Sequence, residues 1–269
     1  MRGERRGGLL ALNHEISVRP AASRAELGQA FRLVYDSYLA RDYVRPNPWG
    51  IRLSAFNVLP TTVTFVAVLR GTVIATTTLV CDTPVGLPMD EIYSDELQRL
   101  RGEGRRVAEV TMLADRRREV HRALALLCVL MKRLFDYATL VAHLDDLCIT
   151  INPRHESYYE RYLLFRPLGG LRDYPSVCSN PALAKRLDLR SVRGECEGNE
   201  ELIQHFFTDR TPLEVLTSGY RLSPEDLRYF LVDVAPVLAE TPPELLECLR
   251  RCHPGCPWDD WLKACRERA

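Results

Sequence analysis

The stretch Glu109-Val-Thr-Met-Leu-Ala-Asp115 runs directly into Arg116, Arg117 and Arg118, and it decides how this 269-residue chain is interpreted. Residues 105–113 have the length and apolar character of an interior strand. An ionisable side chain in such a strand is costly unless it is paired, hydrogen-bonded or faces a cleft. Strands that present a carboxylate to a cleft are common in enzymes that remove a proton, so Glu109 is predicted to be functional.

Upstream of this strand the sequence predicts a strand, a helix and a hairpin. Residues 14–19 alternate as a short strand does, and Ser23 with Glu26 three residues later marks the start of an amphipathic helix. Residues 61–69 and 72–81 are rich in β-branched side chains and are separated only by Arg70-Gly71, which predicts a hairpin. A short helix is expected over residues 89–101.

Downstream, residues 119–140 have the periodicity of a long core helix, and residues 144–151 resemble a strand. A helix is expected over residues 154–163. Residues 165–168 and 185–189 are predicted to be closing strands around a turn at Gly169-Gly170. The expected fold is therefore α+β, with a mixed and largely antiparallel sheet flanked by helices.

Three segments are expected along the chain. Residues 1–13 are predicted to be a mobile N-terminal tail, and residues 14–190 form the α+β domain. The composition shifts near residue 190, where a polar linker at residues 194–198 leads into several short helical patterns. Residues 191–269 are therefore expected to form a helical C-terminal appendage.

Composition excludes several classes of protein. The 36 basic and 36 acidic residues give no net charge, which argues against a nucleic-acid partner. The apolar run at residues 123–131 is too short to cross a bilayer, and the apolar residues 9–12 are too few for a signal peptide. The nine cysteines fit a reducing compartment, so we expect a cytoplasmic protein.

The late cysteines leave two interpretations open. Cys248, Cys252 and Cys256 are spaced by four residues, with His253 and Cys265 nearby. This spacing is compatible with a metal site, and equally with one buried face of a helix. It is not the two-residue gap of zinc knuckles, so no metal ligand is assigned.

The order of elements resembles that of the GNAT acyltransferases. Residues 152–169, which read Asn-Pro-Arg-His-Glu-Ser-Tyr-Tyr-Glu-Arg-Tyr-Leu-Leu-Phe-Arg-Pro-Leu-Gly, are similar to a late motif of that superfamily. However, residues 113–119 lack the glycines on which GNAT enzymes cradle the pyrophosphate of coenzyme A. The arginine cluster at this place suits the acidic face of an acyl carrier protein instead.

Four separated phrases resemble more closely the N-acyl amino acid synthases of the long-chain N-acyltyrosine synthase type, which are related to the acyl-homoserine lactone synthases. The phrases are Val34-Tyr35 with Tyr38-Leu39, Gly86-Leu-Pro-Met-Asp90 with Glu96-Leu97, Gly104-Arg-Arg-Val-Ala-Glu-Val110, and Asn152-Pro-Arg-His155. The resemblance covers residues 14–190. It implies transfer of a long-chain acyl group from an acyl carrier protein thioester to the α-amine of an amino acid. The donor is then the acyl-phosphopantetheine, with no permanently bound cofactor.

The resemblance also implies roles for single residues. Glu109 would be the base or orient the amine, directly or through water, unless it forms a salt bridge with Arg105, Arg106 or Arg32. Main-chain amides of Thr111, Met112 and Leu113 would stabilise the oxyanion on a bulge. Tyr159, or its neighbour Tyr158, would protonate the leaving sulfur unless both are core residues.

Two further groups of residues are assigned to binding. The expected substrate-binding residues are Arg32, Tyr35, Asn152, Arg154 and His155. The expected carrier-docking surface consists of basic side chains, which a solvated helix face would also explain: Arg116, Arg117, Arg118, Arg122, Lys132 and Arg133.

Three other functions stay open. A lactone synthase would use S-adenosylmethionine as the acceptor, and a small-molecule acetyltransferase would need the missing glycine turn. A non-catalytic GNAT-fold binding module would keep the fold without the chemistry. The appendage, which the resemblance does not cover, could cap an acyl tunnel, bind a partner or hold a metal.

Overall fold

The computed structural model describes residues 15–116 and 123–268. Within them a seven-stranded sheet has the order β1-β2-β3-β4-β5-β7-β6, and only the β4–β5 pair is parallel. This confirms the mixed, largely antiparallel sheet. The strands are β1 (Ile16–Pro20), β2 (Thr62–Leu69), β3 (Thr72–Cys81), β4 (Val107–Asp115), β5 (Asp146–Ile151), β6 (Arg166–Tyr174) and β7 (Asn180–Asp188).

The helices pack on both faces of the sheet. Among the described residues, the α-helices that precede the appendage are α1 (Arg24–Leu39), α2 (Asp90–Gly102), α3 (Ala123–Leu140) and α4 (Glu156–Tyr162). Strand alternation separates two cores: Phe65 and Ala67 face α3, whereas Val66 and Val68 face α1. Helix α2 shares the α1 face, and α4 shares the α3 face.

The predicted hairpin and the first helix are confirmed. Arg70 and Gly71 join β2 to β3, and both have positive φ angles, +49° and +79°, as a two-residue turn between twisted strands requires. Helix α1 begins after Ser23, whose side chain accepts a hydrogen bond from the main-chain N–H of Glu26.

The predicted turn at Gly169-Gly170 is wrong. Both glycines lie within β6, and the turn to β7 follows at Pro175–Val177. A Cβ atom on Gly169 would lie 2.6 Å from the Tyr93 ring, so glycine is required there because a helix packs closely against the strand. The glycine pair marks a packing site instead of a change in chain direction.

The strands β4 and β5 separate after a short pairing. Their register ends at Glu109 opposite Cys148. On the other side of β4, Thr78 pairs with Thr111 but Thr76 pairs with Ala114, so one residue of β3 faces two of β4. This is a β-bulge, and it is centred on Met112, which has a φ of +54°. The sheet therefore opens beyond Glu109.

In the described part of the chain, the appendage is helical. It contains α5 (Val192–Glu195), α6 (Glu200–Ile203), α7 (Leu213–Leu216), α8 (Pro224–Arg228), α9 (Pro243–Cys252) and α10 (Trp258–Arg266). Its side chains enter the cores of the sheet domain: Phe206 stacks on Phe135, with ring centroids 4.9 Å apart, and Phe230 stacks on Phe31 at 5.6 Å. The appendage thus completes the core of the sheet domain.

The described residues contain neither a metal-binding cluster nor a helix that could span a membrane. Across residues 15–116 and 123–268, no group of three or more His, Cys, Asp or Glu side chains is arranged to hold a metal ion. In the same part of the chain, no helix has the length and apolarity to cross a membrane.

Candidate active site

A cavity of about 1170 Å³ lies where β4 and β5 separate. Residues 110–113 of β4 and residues 149–152 at the end of β5 form its floor. The walls come from residues 43–57, the loop before α2, the β6–β7 turn and residues 235–245 of the appendage. The volume exceeds the usual range for a pocket that holds one small ligand, which leaves room for two substrates.

Glu109 lies beneath this cavity and is only 1% exposed. Its Oε2 atom accepts a hydrogen bond of 2.7 Å from the main-chain N–H of Met89, directly before α2. Burial raises the pKa of Glu109 to about 8, against the opposing effect of that hydrogen bond, and the charge of Asp90 raises it slightly further. The structure therefore gives this carboxyl group a pKa suited to accepting a proton near neutral pH, although its side chain does not line the cavity.

The salt-bridge alternative for Glu109 is wrong. Arg105 pairs with Asp146 and Asp188, and Arg106 lies beside Asp145 at 3.9 Å. These contacts draw both arginines away along the start of β4. Arg32 is exposed on α1 and does not line the cavity.

The bulge presents main-chain groups to the cavity. Thr111, Met112 and Leu113 all line it. At this point β4 has lost its register with β3 and its pairing with β5, so the ladder hydrogen bonds are interrupted on both sides. The predicted oxyanion donors are thus placed at the cavity floor.

The structure distinguishes the two neighbouring tyrosines of α4. Tyr159 lines the cavity, and burial raises the pKa of its hydroxyl group, which keeps it protonated at neutral pH. The Tyr158 hydroxyl lies 3.4 Å from Cys128 Sγ, outside the cavity lining. Burial raises the pKa of Tyr158 as well. Of the two tyrosines, only Tyr159 lines the cavity.

The predicted substrate-binding residues divide into two groups. Tyr35 and Asn152 line the cavity, whereas Arg154 and His155 do not. The Arg154 guanidinium donates to His155 Nε2 at 3.1 Å and to the Tyr43 hydroxyl at 2.9 Å. These two residues brace the rim through Tyr43, which does line the cavity.

Sequence patterns did not identify Arg52, which also lines the cavity. Its guanidinium lies 5.4 Å from the centroid of the Tyr38 ring and donates a 2.9 Å hydrogen bond to the Ser176 carbonyl. Among the residues that the structure describes, no carboxylate forms an ion pair with it. Arg52 lies in an irregular loop, so no periodicity singles it out.

The proposed docking surface is only partly exposed. Arg116 is exposed at the end of β4, and Arg117, Arg118 and Arg122 lie outside the described residues. Lys132 is 4% exposed and pairs with Asp136, so its assignment to a docking surface is wrong. Arg133 is half-buried and donates to Thr211 Oγ1 at 2.6 Å and to the Val18 carbonyl. Arg133 thereby links α3 to the appendage and to β1.

The loop before α2 is fixed by Arg101, which sequence reasoning also missed. Its guanidinium makes two hydrogen bonds to Asp82 and two to Asp90, at 2.6–2.9 Å. Asp90 also accepts from the main-chain N–H of Leu87 at 2.7 Å. This clamp positions Leu87 and Pro88 in the cavity wall.

A family model and several solved structures match this chain. A family model described as N-acyl amino acid synthase FeeM matches residues 29–188. The solved structure of FeeM, an N-acyl amino acid synthase from uncultured soil microbes, is 32% identical with a TM-score of 0.59, and the match covers 66% of this chain and 93% of that one. No curated protein matches the sequence.

Two acyl-homoserine lactone synthases share the fold. LasI is 12% identical with a TM-score of 0.52, over 73% of this chain and 96% of its own. BjaI, described as coenzyme A-dependent and solved with S-adenosylmethionine and isopentyl-coenzyme A, is 16% identical with a TM-score of 0.50, over 77% and 95%. Such identities establish the GNAT-like fold alone, which was predicted.

Proposed function

Since the chain belongs to the family of N-acyl amino acid synthases, we propose that it transfers a long-chain acyl group from the thioester of an acyl carrier protein to the α-amine of a free amino acid. Transfer of an acyl group to nitrogen is the activity of the family. The carrier-bound donor and the free amino acid are the specific parts of the proposal.

The donor arm fits the opening between β4 and β5. Residues 110–113 and 149–152 line the cavity from strands that no longer pair with each other. Their main-chain groups can hydrogen-bond an extended ligand that carries amides, as a pantetheine arm does. In the sequence, residues 116–122 after β4 contain no glycine, and Arg116 at the end of β4 is exposed. This supports an acidic carrier protein with a single phosphate over coenzyme A with its diphosphate.

The observation that carries the proposal is the guanidinium of Arg52. A partly buried arginine that lines a cavity without an acidic partner, within the described residues, can bind a carboxylate in a forked, bidentate geometry. Tyr38 and the Ser176 carbonyl hold it in place. An amino acid bound there by its carboxylate would hold its α-amine a short distance away, within the same cavity.

The reaction needs one base, one oxyanion site and one acid. The α-amine nitrogen attacks the thioester carbonyl, and the N–C bond forms while the C–S bond breaks. Glu109 accepts the amine proton through an intervening water molecule, because it lies under the cavity floor. The main-chain amides of residues 111–113 stabilise the oxyanion, and Tyr159 returns a proton to the departing thiolate.

The experiment compares two kinds of acyl acceptor, free amino acids and their amides, which lack the carboxylate. Each acceptor is tested with two donors, an acyl carrier protein thioester and a coenzyme A thioester. We expect the parent to prefer the carrier-bound donor and the free amino acid. Arg52→Gln should raise KM for the free acid by about 10- to 100-fold, because a charge-assisted hydrogen bond is lost, and leave KM for the amide nearly unchanged. Arg45→Gln, on the exposed rim of the same cavity, is the matched control.

Two outcomes would overturn this proposal. If Arg52→Gln loses activity equally with the free amino acid and with its amide, Arg52 does not bind the substrate carboxylate. Formation of an acyl lactone from S-adenosylmethionine, with no amide from any amino acid, would assign the chain to lactone synthesis instead.

A further inference from the structure

The cavity has one wall that lies outside the range matched by the family model. That match ends at residue 188, whereas residues 235–245 of the appendage line the cavity. The side chains of Ala235, Pro236, Val237 and Leu245 form the apolar part of this wall. The appendage therefore contributes directly to the cavity that holds the substrates.

The appendage wall faces other apolar side chains. Phe56 and Val85, from the sheet domain, pack with Val237 against a core that includes Leu245. Trp49 packs with Ala235 in a neighbouring cluster. The lining around Val237 is thus apolar, whereas Glu240 and Thr241 of the same segment add polar groups to the cavity lining.

Other parts of the cavity lining are polar. They include Arg52, Tyr43, Asn180 and the carbonyl-rich β6–β7 turn. A ligand with a charged head and an alkyl tail is therefore oriented by the two kinds of lining, with the head toward Arg52 and the tail toward the appendage.

The wall is fixed in position by the last helix. Trp258 and Trp261 of α10 pack in the same core as Leu245, and the Cys265 thiol donates to the Leu231 carbonyl at 3.2 Å. Arg268 binds the carbonyl groups of Val232 and Asp233. Such support gives the wall a defined distance from the floor of the cavity, which a mobile strap would not have.

We propose that the appendage forms the end wall of the acyl-chain site and sets the length of the chain that the protein accepts. This inference rests on the proposed function for the identity of the ligand as a fatty acyl group. The side chains that select the chain length are Val237 and those that pack with it. Each methylene group that finds no space in the cavity stays in water, which changes binding by about fourfold.

The test uses Val237→Trp, which fills the cavity beside Phe56, and Val215→Trp as its matched control. Val215 is also half-buried in the appendage, on α7, but does not line the cavity. Calorimetry with saturated fatty acids from octanoic to stearic acid measures the binding of the tail without requiring catalysis. Mass spectrometry of products from a mixture of acyl donors measures the chain length that is transferred.

We expect Val237→Trp to weaken binding of the longest acids by about tenfold or more and to leave the shortest acids nearly unaffected. Its products should shift to shorter chains, while Val215→Trp matches the parent. Val237→Ala should shift binding and products the other way, and this second variant serves if the tryptophan variant does not fold.

The outcomes separate this inference from the proposed function. Equal binding profiles of the parent and both folded Val237 variants would overturn the wall assignment, even if all of them make amides. Length-dependent fatty acid binding that shifts with Val237, without transfer by any protein, would support the wall and refute the proposed function.

Discussion

Replacing Glu109 with glutamine is expected to stabilise the protein at alkaline pH and to slow the transfer reaction strongly. Glutamine has nearly the same shape and keeps an oxygen that can accept the Met89 N–H hydrogen bond. What it removes is the negative charge that forms when this buried carboxyl group ionises. The variant should therefore be more stable at alkaline pH and less active.

The magnitude follows from the raised pKa. A carboxyl group with a pKa of about 8 in the folded state and an ordinary value of 4.5 keeps its proton in the folded protein after the unfolded chain has lost it. Between these two values the free energy of unfolding falls by up to about 1.4 kcal/mol per pH unit. The full loss, reached above pH 8, is at most about 5 kcal/mol.

The assay is urea unfolding of the parent and Glu109→Gln from acidic to alkaline pH. Below the ordinary carboxyl pKa the two proteins should have similar stability, because the carboxyl is protonated in both states. Above pH 8 the variant should be the more stable by about 2–5 kcal/mol, the lower figure allowing for water entry around the ionised group. Glu103→Gln, at an exposed position after α2, is the control.

Activity provides the second readout. The kcat/KM of the parent should rise with pH through about 8, as Glu109 ionises, and Glu109→Gln should lower kcat by about 10²- to 10⁴-fold. Parallel pH dependences of stability for the parent and the variant would refute the argument from burial. Retained activity in the variant would refute the assignment of Glu109 as the base.

Three further results are expected. Tyr159→Phe should lower kcat by about 10²-fold with ordinary thioesters, and an acyl donor with a more acidic thiol should restore it; a loss that is the same for both donors would contradict an acid role. Arg101→Gln should lower the free energy of unfolding in urea by about 3 kcal/mol, whereas the exposed Arg99→Gln should not. Asp136→Asn should lower the melting temperature because it leaves Lys132 buried without a counter-charge, and an additional Lys132→Met substitution should recover part of the loss; no recovery would exclude the unpaired charge as the cause.

Local features of the sequence predicted most of the fold. The Ser23 cap, the Arg70-Gly71 turn and the apolar run around Glu109 are each specified by neighbouring residues. Hydrogen bonds within a turn or along a helix follow the chain, so their signals are readable from spacing alone. Glu109, the candidate base on a buried strand, could be identified for the same reason.

The positions of charged side chains that depend on residues distant in the sequence could not be predicted from local sequence patterns. Two arginines early in the chain look alike in sequence, yet Arg32 is exposed and Arg52 lines the cavity, held by the Ser176 carbonyl. Lys132 follows an apolar run that resembles one face of a helix, but Asp136 and the appendage bury it. Whether a charged side chain is exposed depends on the residues that surround it in the fold.

The sequence by itself determined the elements, their order, the family resemblance and the presence of a buried carboxylate at Glu109. Only the tertiary structure decided that Gly169 is a packing site for Tyr93, that Arg52 is a cavity cation and that the appendage forms a wall of the cavity. The physical reason is that hydrogen bonds in helices and turns join near neighbours in the chain. Burial, close packing and the pairing of charges instead join residues far apart in sequence, which come together only when the chain folds.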